Sequence, residues 1–375
     1  MDGRGKANRV GDHPVVPDYG GACIANVVPA LLEPGPERPS WFPAGAIDAS
    51  QVVLLVLDGL GWEQLETRRH LAPTLSAMAG GPITSVVPST TATALTSIAT
   101  GLTPGEHGVV GYRVAVDGEV LNILRWTTPS GDARGRIDPY RFQPQAAFCG
   151  QRPSIVTKAE FVSSGFSGAH LSDVRFHGYR VPSTLVAELR RQLRAGEPFV
   201  YAYYDGIDKV SHEYGLGEFF DAEIAAADRL VADILSVLPR DAALVITADH
   251  GQVDVGDQIV ALSSELLDVT ALLSGEGRFQ WLHARPGLEG RLLETARDLY
   301  CGQAWVRERD EAVADGWFGG PLSSDATTRL GDVVLAPFEP VAFLDPGDVG
   351  EVKLRSRHGS LTSAEMLVPL LAAAS

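Results

Sequence analysis

The chain has 375 residues, 45% hydrophobic and 21% charged, enough for one large α/β domain carrying an insertion or for two domains. Its 31 basic and 47 acidic residues leave a net charge of −16, which excludes a nucleic-acid reader built on a basic stripe. An anionic substrate would need local cationic help, and bound metal is the obvious source.

The opening residues contain no apolar run of signal-peptide length, and no segment reaches the roughly 20 apolar residues of a membrane span. The expectation is a soluble cytoplasmic protein with no membrane partner. Cys23, Cys149 and Cys301 are odd in number and far apart, which argues against a disulfide framework or a thiolate metal site and leaves them as packing residues.

Residues 1–39 are an N-terminal extension rich in Gly, Pro and Asp, whose apolar patch ACIANVVPALL is expected to pack against the core. At Gln51 the pattern changes: QVVLLVLDG is a continuous apolar, β-branched run ending in Asp58-Gly59, the signature of a strand buried on both faces. Similar runs recur at 153–158, 198–206, 242–251 and 331–337, with amphipathic stretches such as 183–195 and 218–238 between them. The alternation predicts an α/β fold with a mostly parallel central sheet and helices on both faces, and ligands in such folds sit at the carboxyl ends of the strands. The Gly- and Arg-rich stretch 127–152 reads as a long loop on that side, and 256–330 as a small α+β insertion between core segments 40–255 and 331–375.

Three runs end in acidic residues: Asp58, the pair Asp205 and Asp208, and Asp249 beside His250. Of nine histidines, His212, His250 and His358 sit in acidic or glycine-flanked contexts at these ends. Asp208 and His212, four apart, share one face of a helical turn, either as ligands of one cation or as a surface ion pair. Asp249 and His250 fit a metal where a strand breaks into a loop, or a turn with a capping imidazole. Asp58 closes a wholly apolar strand, where an unpaired charge is costly; it is a ligand or the N-cap of a helix starting near Trp62. Oxygen and nitrogen donors without thiolate suit Zn²⁺ ahead of Mn²⁺, and six of them suffice for two ions bridged by substrate.

The segment PSTTATALTSIATG carries three adjacent hydroxyls, Ser89, Thr90 and Thr91, before a predicted helix from Thr91 to Thr100 that stops at Gly101. Thr90 or Thr91 is an N-cap, or a threonine hydroxyl stands at the positive helix end where an arriving phosphate is favoured. The residues alone leave both readings open.

The order of motifs, VLDG, PSTTATALTSIATGLTPGEHG, DKVSH, ADHG and RHG, resembles the alkaline phosphatase superfamily and, within it, the type I phosphodiesterase/nucleotide pyrophosphatase family, from about Gln51 to the C-terminus outside the insertion. The resemblance implies one metal held by Asp58, Asp249, His250 and the nucleophile, and a second held by Asp208, His212 and His358. The family's spacing from the proline and from the Thr-Gly pair, counted from Pro88 and from Thr100, selects Thr91 as nucleophile. His107 matches the family's His-Gly and is expected to be structural.

The chain departs from the family's pattern at Ala92-Thr93-Ala94-Leu95, where Phe-Pro-Asn-His is common, and at Gly111-Tyr112, where an Asn usually helps bind phosphoryl oxygen. Asn122 is a candidate for that missing donor. Tyr112, Lys158 and Tyr204, with Arg113, Arg125, Trp126 and Phe161, are candidates to line the pocket.

The implied activity is two-metal hydrolysis of a phosphodiester or pyrophosphate in a small phosphorylated substrate of nucleotide type, through a phosphothreonine intermediate. The alternatives are a phosphonate or phosphomonoester hydrolase or phosphomutase on the same scaffold, and a metal-binding protein without catalysis. The oligomeric state is left open.

Overall fold

The computed structural model describes residues 13–35, 39–44, 46, 48–348 and 353–374. The remainder of the N-terminal extension, including residues 1–12, lies outside the described residues. Seven strands build the central sheet: β1 (Gln51–Leu57), β2 (Ala79–Thr84), β3 (Ser154–Lys158), β4 (Arg175–Tyr179), β5 (Phe199–Tyr204), β6 (Ala242–Thr247) and β7 (Leu367–Ala374). Their spatial order is β2-β7-β6-β1-β5-β3-β4. The five from β6 to β4 pair in parallel, with Leu54 opposite both Val245 and Tyr201, while β7 and β2 add an antiparallel edge. The expected mostly parallel α/β sheet is therefore present, and its central strand β1 is apolar and buried from Val52 to Leu57 because helices cover both faces.

Four helices matter for the site: α1 (Thr91–Thr100), α2 (Pro182–Arg194), α3 (Gly206–Tyr214) and α4 (Glu218–Ser236). Every residue of α1 is buried, which explains why its hydroxyl-rich sequence shows no polar stripe. α2 and α4 are amphipathic as read, turning Leu185 and Leu189, and Ile224, Val231 and Ile234, inward. The patch in the N-terminal extension folds into a turn and the helix Val27–Leu32, and buries Ile24, Val27 and Val28 in the main core.

A second sheet, wholly antiparallel, takes the strands Thr270–Glu276, Phe279–Ala284, Val333–Pro337 and Ala304–Glu308 in that spatial order. The run at 331–337, expected in the central sheet, belongs here. Its alternate residues explain the misreading: Val333 and Leu335 enter the second sheet's own core, while Val334 and Ala336 enter the main core. A strand sandwiched between two cores is continuously apolar whichever sheet it joins. Ile259–Ala261 pairs with Ala342–Leu344, so the excursion closes beyond 330.

The stretch 127–152 is not one long loop: it holds two short strands of a four-stranded antiparallel sheet and the helix Pro139–Phe142. The packing role expected of the cysteines fits buried Cys23 but not exposed Cys301. Among the described residues no helix is long and apolar enough to cross a membrane.

Candidate active site

Because the central strands are parallel, their carboxyl ends fall along one edge, and the chain places its acidic terminations there. Asp58 follows β1, Asp208 and His212 lie on α3 directly after β5, and Asp249 with His250 follows β6. His358 joins them from the loop after Ser356–Arg357, a short strand held against Val253–Asp254. Gly59 makes the convergence sterically feasible: its φ is +76°, and a Cβ there would meet the Gln252 side chain at 2.8 Å and Asp208 Cα at 3.0 Å.

The carboxylates of Asp58 and Asp249 are buried and only partly satisfied, while that of Asp208 is partly buried. Asp58 Oδ2 accepts the Tyr203 hydroxyl, while Oδ1 has no hydrogen-bond partner and lies 3.5 Å from His250 Nε2. Asp249 Oδ1 accepts the backbone N–H groups of Gly59 (3.0 Å) and His250 (3.1 Å), while Oδ2 is unpartnered, 3.3 Å from the same Nε2. Asp208 Oδ1 accepts Gln252 Nε2 at 2.6 Å. Burial pushes all three carboxyl groups above their ordinary pKa, and the charges of Asp249 and Asp208 push Asp58 further. Asp58 is not a helix cap, since Gly61 holds that position.

The imidazoles share one arrangement. Nδ1 donates to a backbone carbonyl in each: His212 to Ser356 (2.6 Å), His250 to Gly251 (3.1 Å) and His358 to Ser89 (2.9 Å). A carbonyl only accepts, so Nδ1 carries a proton in each, and a ring in its neutral form presents a bare Nε2 to the carboxylates. Burial holds His250 and His358 below the usual pKa, which keeps them neutral. Their rings stack at 3.5 Å and 12°.

These donors fit divalent cations. Asp58, Asp249 and His250 offer ligand atoms within 4.8 Å of one another, and so do Asp208, His250 and His358. His212 reaches the second group through Asp208, 3.3 Å from its Nε2. Two unpartnered carboxylate oxygens, buried beside neutral imidazoles, are an electrostatic deficit that a hard or borderline cation removes.

The three adjacent hydroxyls have three different partners. Ser89 donates to the Ser360 carbonyl (2.7 Å), Thr90 to Glu276 Oε2 (3.0 Å), and Thr91 to His250 Nε2 (3.1 Å). Thr90 occupies the N-cap position of α1, yet its hydroxyl makes no cap bond, so the capping reading fails for both threonines. Thr91 opens the helix, and its hydroxyl alone of the three bonds to the imidazole and carboxylate cluster.

Two cavities meet at Thr91 and Asp208. The smaller, about 230 Å³, is mainly apolar and is walled by Leu95, Phe161, Phe166, Leu171 and Tyr201. The larger, about 410 Å³, is the more polar of the two and is bordered by Tyr112, Arg125, Lys209, Glu276 and Arg357.

The predicted pocket residues divide between these walls and the framework. Phe161, Tyr112 and Arg125 line cavities. Asn122 instead braces the wall, donating to the Tyr112 hydroxyl (2.7 Å) and accepting the Arg125 backbone N–H (3.0 Å). Lys158 is tied to Asp205 at 2.6 Å, a carboxylate that also holds Lys209 at 2.8 Å. Arg113 is bound by Asp345 and Asp348, and Trp126 is buried with its Nε1 on the Ile137 carbonyl. Tyr204 turns away to Glu223 (2.6 Å); strand alternation points its neighbour Tyr203 to Asp58 instead. His107 bonds Ser97 and the Val109 N–H, is pushed down to about 3 by burial, and is structural.

Three contributors escaped the sequence reading. Tyr203 was available from strand period, and Gln252 from its place two residues after His250; Glu276 carries no local signal, because its partner lies 186 residues away.

The profile of the type I phosphodiesterase/nucleotide pyrophosphatase family matches residues 52–361. The chain belongs to that family. The family is metal-dependent, and membership indicates a phosphoester hydrolase. No curated protein sequence matches the chain.

Among solved structures, murine ectonucleotide pyrophosphatase/phosphodiesterase 5 is similar at 15% identity and a TM-score of 0.65, covering 87% of this chain and 88% of the murine one. An inactive threonine-to-alanine variant of that enzyme in complex with AMP is similar at 16% identity and 0.64, with the same coverage. Phosphonoacetate hydrolase from Sinorhizobium meliloti 1021, in complex with phosphonoacetate, is similar at 19% identity and 0.59, covering 87% of this chain and 90% of its own. These likenesses bear on the fold.

Proposed function

We propose that the protein cleaves phosphodiester or pyrophosphate bonds of small nucleotide-type substrates, with Thr91 as the nucleophile. The observation that carries this reading is the Thr91 hydroxyl, 3.1 Å from His250 Nε2 at the first turn of α1, where both cavities open. Asp58, Asp249, His250 and Thr91 would hold one divalent ion and Asp208, His212 and His358 the other, Zn²⁺ ahead of Mn²⁺. Bound there, such ions lower the pKa of a ligated hydroxyl and offset the charge of the phosphoryl group.

The chain's own residues do the rest. The bond from Thr91 to His250 fixes the threonine rotamer with its oxygen at the junction of the cavities. The Thr90 side chain does not cap α1, so the N–H groups of its first turn are oriented to receive phosphoryl oxygens. Thr91 Oγ1 bonds to phosphorus as the bond to the leaving oxygen breaks, giving phosphothreonine. Water then attacks phosphorus, the Oγ1–P bond breaks, and the hydroxyl is restored. The apolar cavity, with Phe161 and Phe166, suits a flat organic group, and the more polar cavity, bordered by Arg125 and Lys209, suits a second charged one. The AMP complex of the murine enzyme and its inactivation by loss of a threonine support this reading.

The test is metal analysis together with a panel of p-nitrophenyl nucleotide diesters, monoesters and phosphonoacetate, with and without chelator. Turnover of the diester, lost on chelation and restored by Zn²⁺ or Mn²⁺, is expected. Undiminished turnover after complete metal removal overturns the mechanism; turnover of phosphonoacetate alone moves the enzyme to the phosphonate class.

A further inference from the structure

The second sheet supplies none of the carboxylates and imidazoles at the candidate metal positions, yet one of its hairpins reaches the nucleophile segment. Glu276 ends the strand Thr270–Glu276 and pairs with Phe279 across a turn of Gly277 and Arg278. It is 5% exposed, and its Oε2 accepts the hydroxyl of Thr90, which is 1% exposed, at 3.0 Å.

The hairpin is itself immobilised. Arg278 is fully buried; Nε and Nη2 grip the two oxygens of Glu365 at 2.7 and 2.8 Å, and the guanidinium also bonds the carbonyls of Pro337, Glu339 and Val341. Glu365 in turn accepts the Ser360 N–H at 3.0 Å, two residues from His358. Gly359, at φ +129°, passes so close that a Cβ there would lie 3.1 Å from Glu276. The Glu276 carboxylate is therefore held on a rigid mount against the start of α1.

We infer that Glu276 is a positioning residue for the nucleophile. Thr90 and Thr91 share one planar peptide, so anchoring the Thr90 side chain sets the rotation at which α1 begins and the direction of Thr91 Oγ1. A threonine at the N-cap position ordinarily turns its hydroxyl onto the helix's own N–H groups. Glu276 takes that hydroxyl away, leaving the first-turn donors open to the phosphoryl group. One hydrogen bond thus does two things: it aims the nucleophile and keeps its neighbour from blocking the anion site. The inference rests on Thr91 being the nucleophile.

The test is a double-mutant cycle with four variants, Glu276→Ala, Thr90→Val, the pair together and Glu276→Gln, run beside Thr91→Ala on a p-nitrophenyl nucleotide diester. Glu276→Ala is expected to lower kcat about 10- to 100-fold, with KM within about threefold and metal content unchanged, as for a misplacement of roughly 1 Å. Thr90→Val removes the donor without touching the second sheet and is expected to match it, with the double variant no worse than either. Glu276→Gln keeps an acceptor oxygen and recovers most of the loss.

Additive losses, a glutamine variant as poor as alanine, or a Glu276→Ala enzyme within about twofold of wild type overturns the inference, provided Thr91→Ala is inactive. If Thr91→Ala still turns over, the assignment of the nucleophile has failed instead. Should Glu276→Ala not fold, Thr90→Val and Glu276→Gln decide the matter.

Discussion

The central sheet and the second sheet both bury apolar strands, but they use their edges differently. Parallel strands deliver every carboxyl end to one side, so Asp58, Asp208 and Asp249 converge although they come from distant parts of the chain. Antiparallel strands alternate in direction and offer only a hairpin tip, which here carries Glu276 and Arg278. The contrast teaches that chemistry and positioning have separate architectural sources in this molecule: charge gathered at a parallel edge, aim supplied by a hairpin laid against it.

The sharpest way to break that division is at its chemical end. Thr91→Ala should reduce turnover by roughly 10⁴-fold or more, the scale of losing a covalent nucleophile, with an unchanged circular dichroism spectrum. A fall no greater than that of Glu276→Ala would mean that both regions only position.

Asp249→Asn tests the gathered charge. Metal-loaded activity should drop by at least about 10²-fold, since an amide replaces a carboxylate ligand. In chelated protein the sign reverses. The folded pKa of Asp249 is raised, so the stability it contributes is present below the ordinary carboxylate value and is lost as pH rises through the raised one. The asparagine variant should therefore melt higher than chelated wild type at neutral pH and above, and the gap should close on acidification; thermal melts across pH 5 to 8 measure it.

The mount of the hairpin comes next. Arg278→Met leaves Glu365 as a buried carboxylate without its cation, at a cost of about 3–5 kcal/mol of stability in denaturant melts, and should lower kcat through Glu276. The smallest effect belongs to the apolar cavity. The Tyr201 hydroxyl is buried without a hydrogen-bond partner, so Tyr201→Phe should be neutral or stabilising by up to about 1 kcal/mol by the same melts.

What was legible in the sequence follows the same line. Apolar runs ending in acidic residues marked the parallel strands and the residues that meet at their edge, because depth and charge are both written locally. The place of Thr91 beside His250 was reachable only through the family resemblance, which counts from Pro88 and Thr100; the residues alone left the three hydroxyls open. Val333–Pro337 was misplaced because a strand between two cores has no distinguishing period, and Tyr204 was chosen over Tyr203 because composition ignores which way a strand faces. Glu276 was invisible, since its meaning lies in a contact made across the fold.

That contact joins residues 186 positions apart, and the bond of Thr91 to His250 spans 159. Like the pairing of Leu54 with Val245 in the central sheet, such closures cost chain entropy before their contacts repay it, so none is made by local helix formation alone. Enzymatic competence then reports on the whole tertiary fold: a chain with its helices restored but the second sheet undocked would register as folded in the far ultraviolet and as impaired toward substrate.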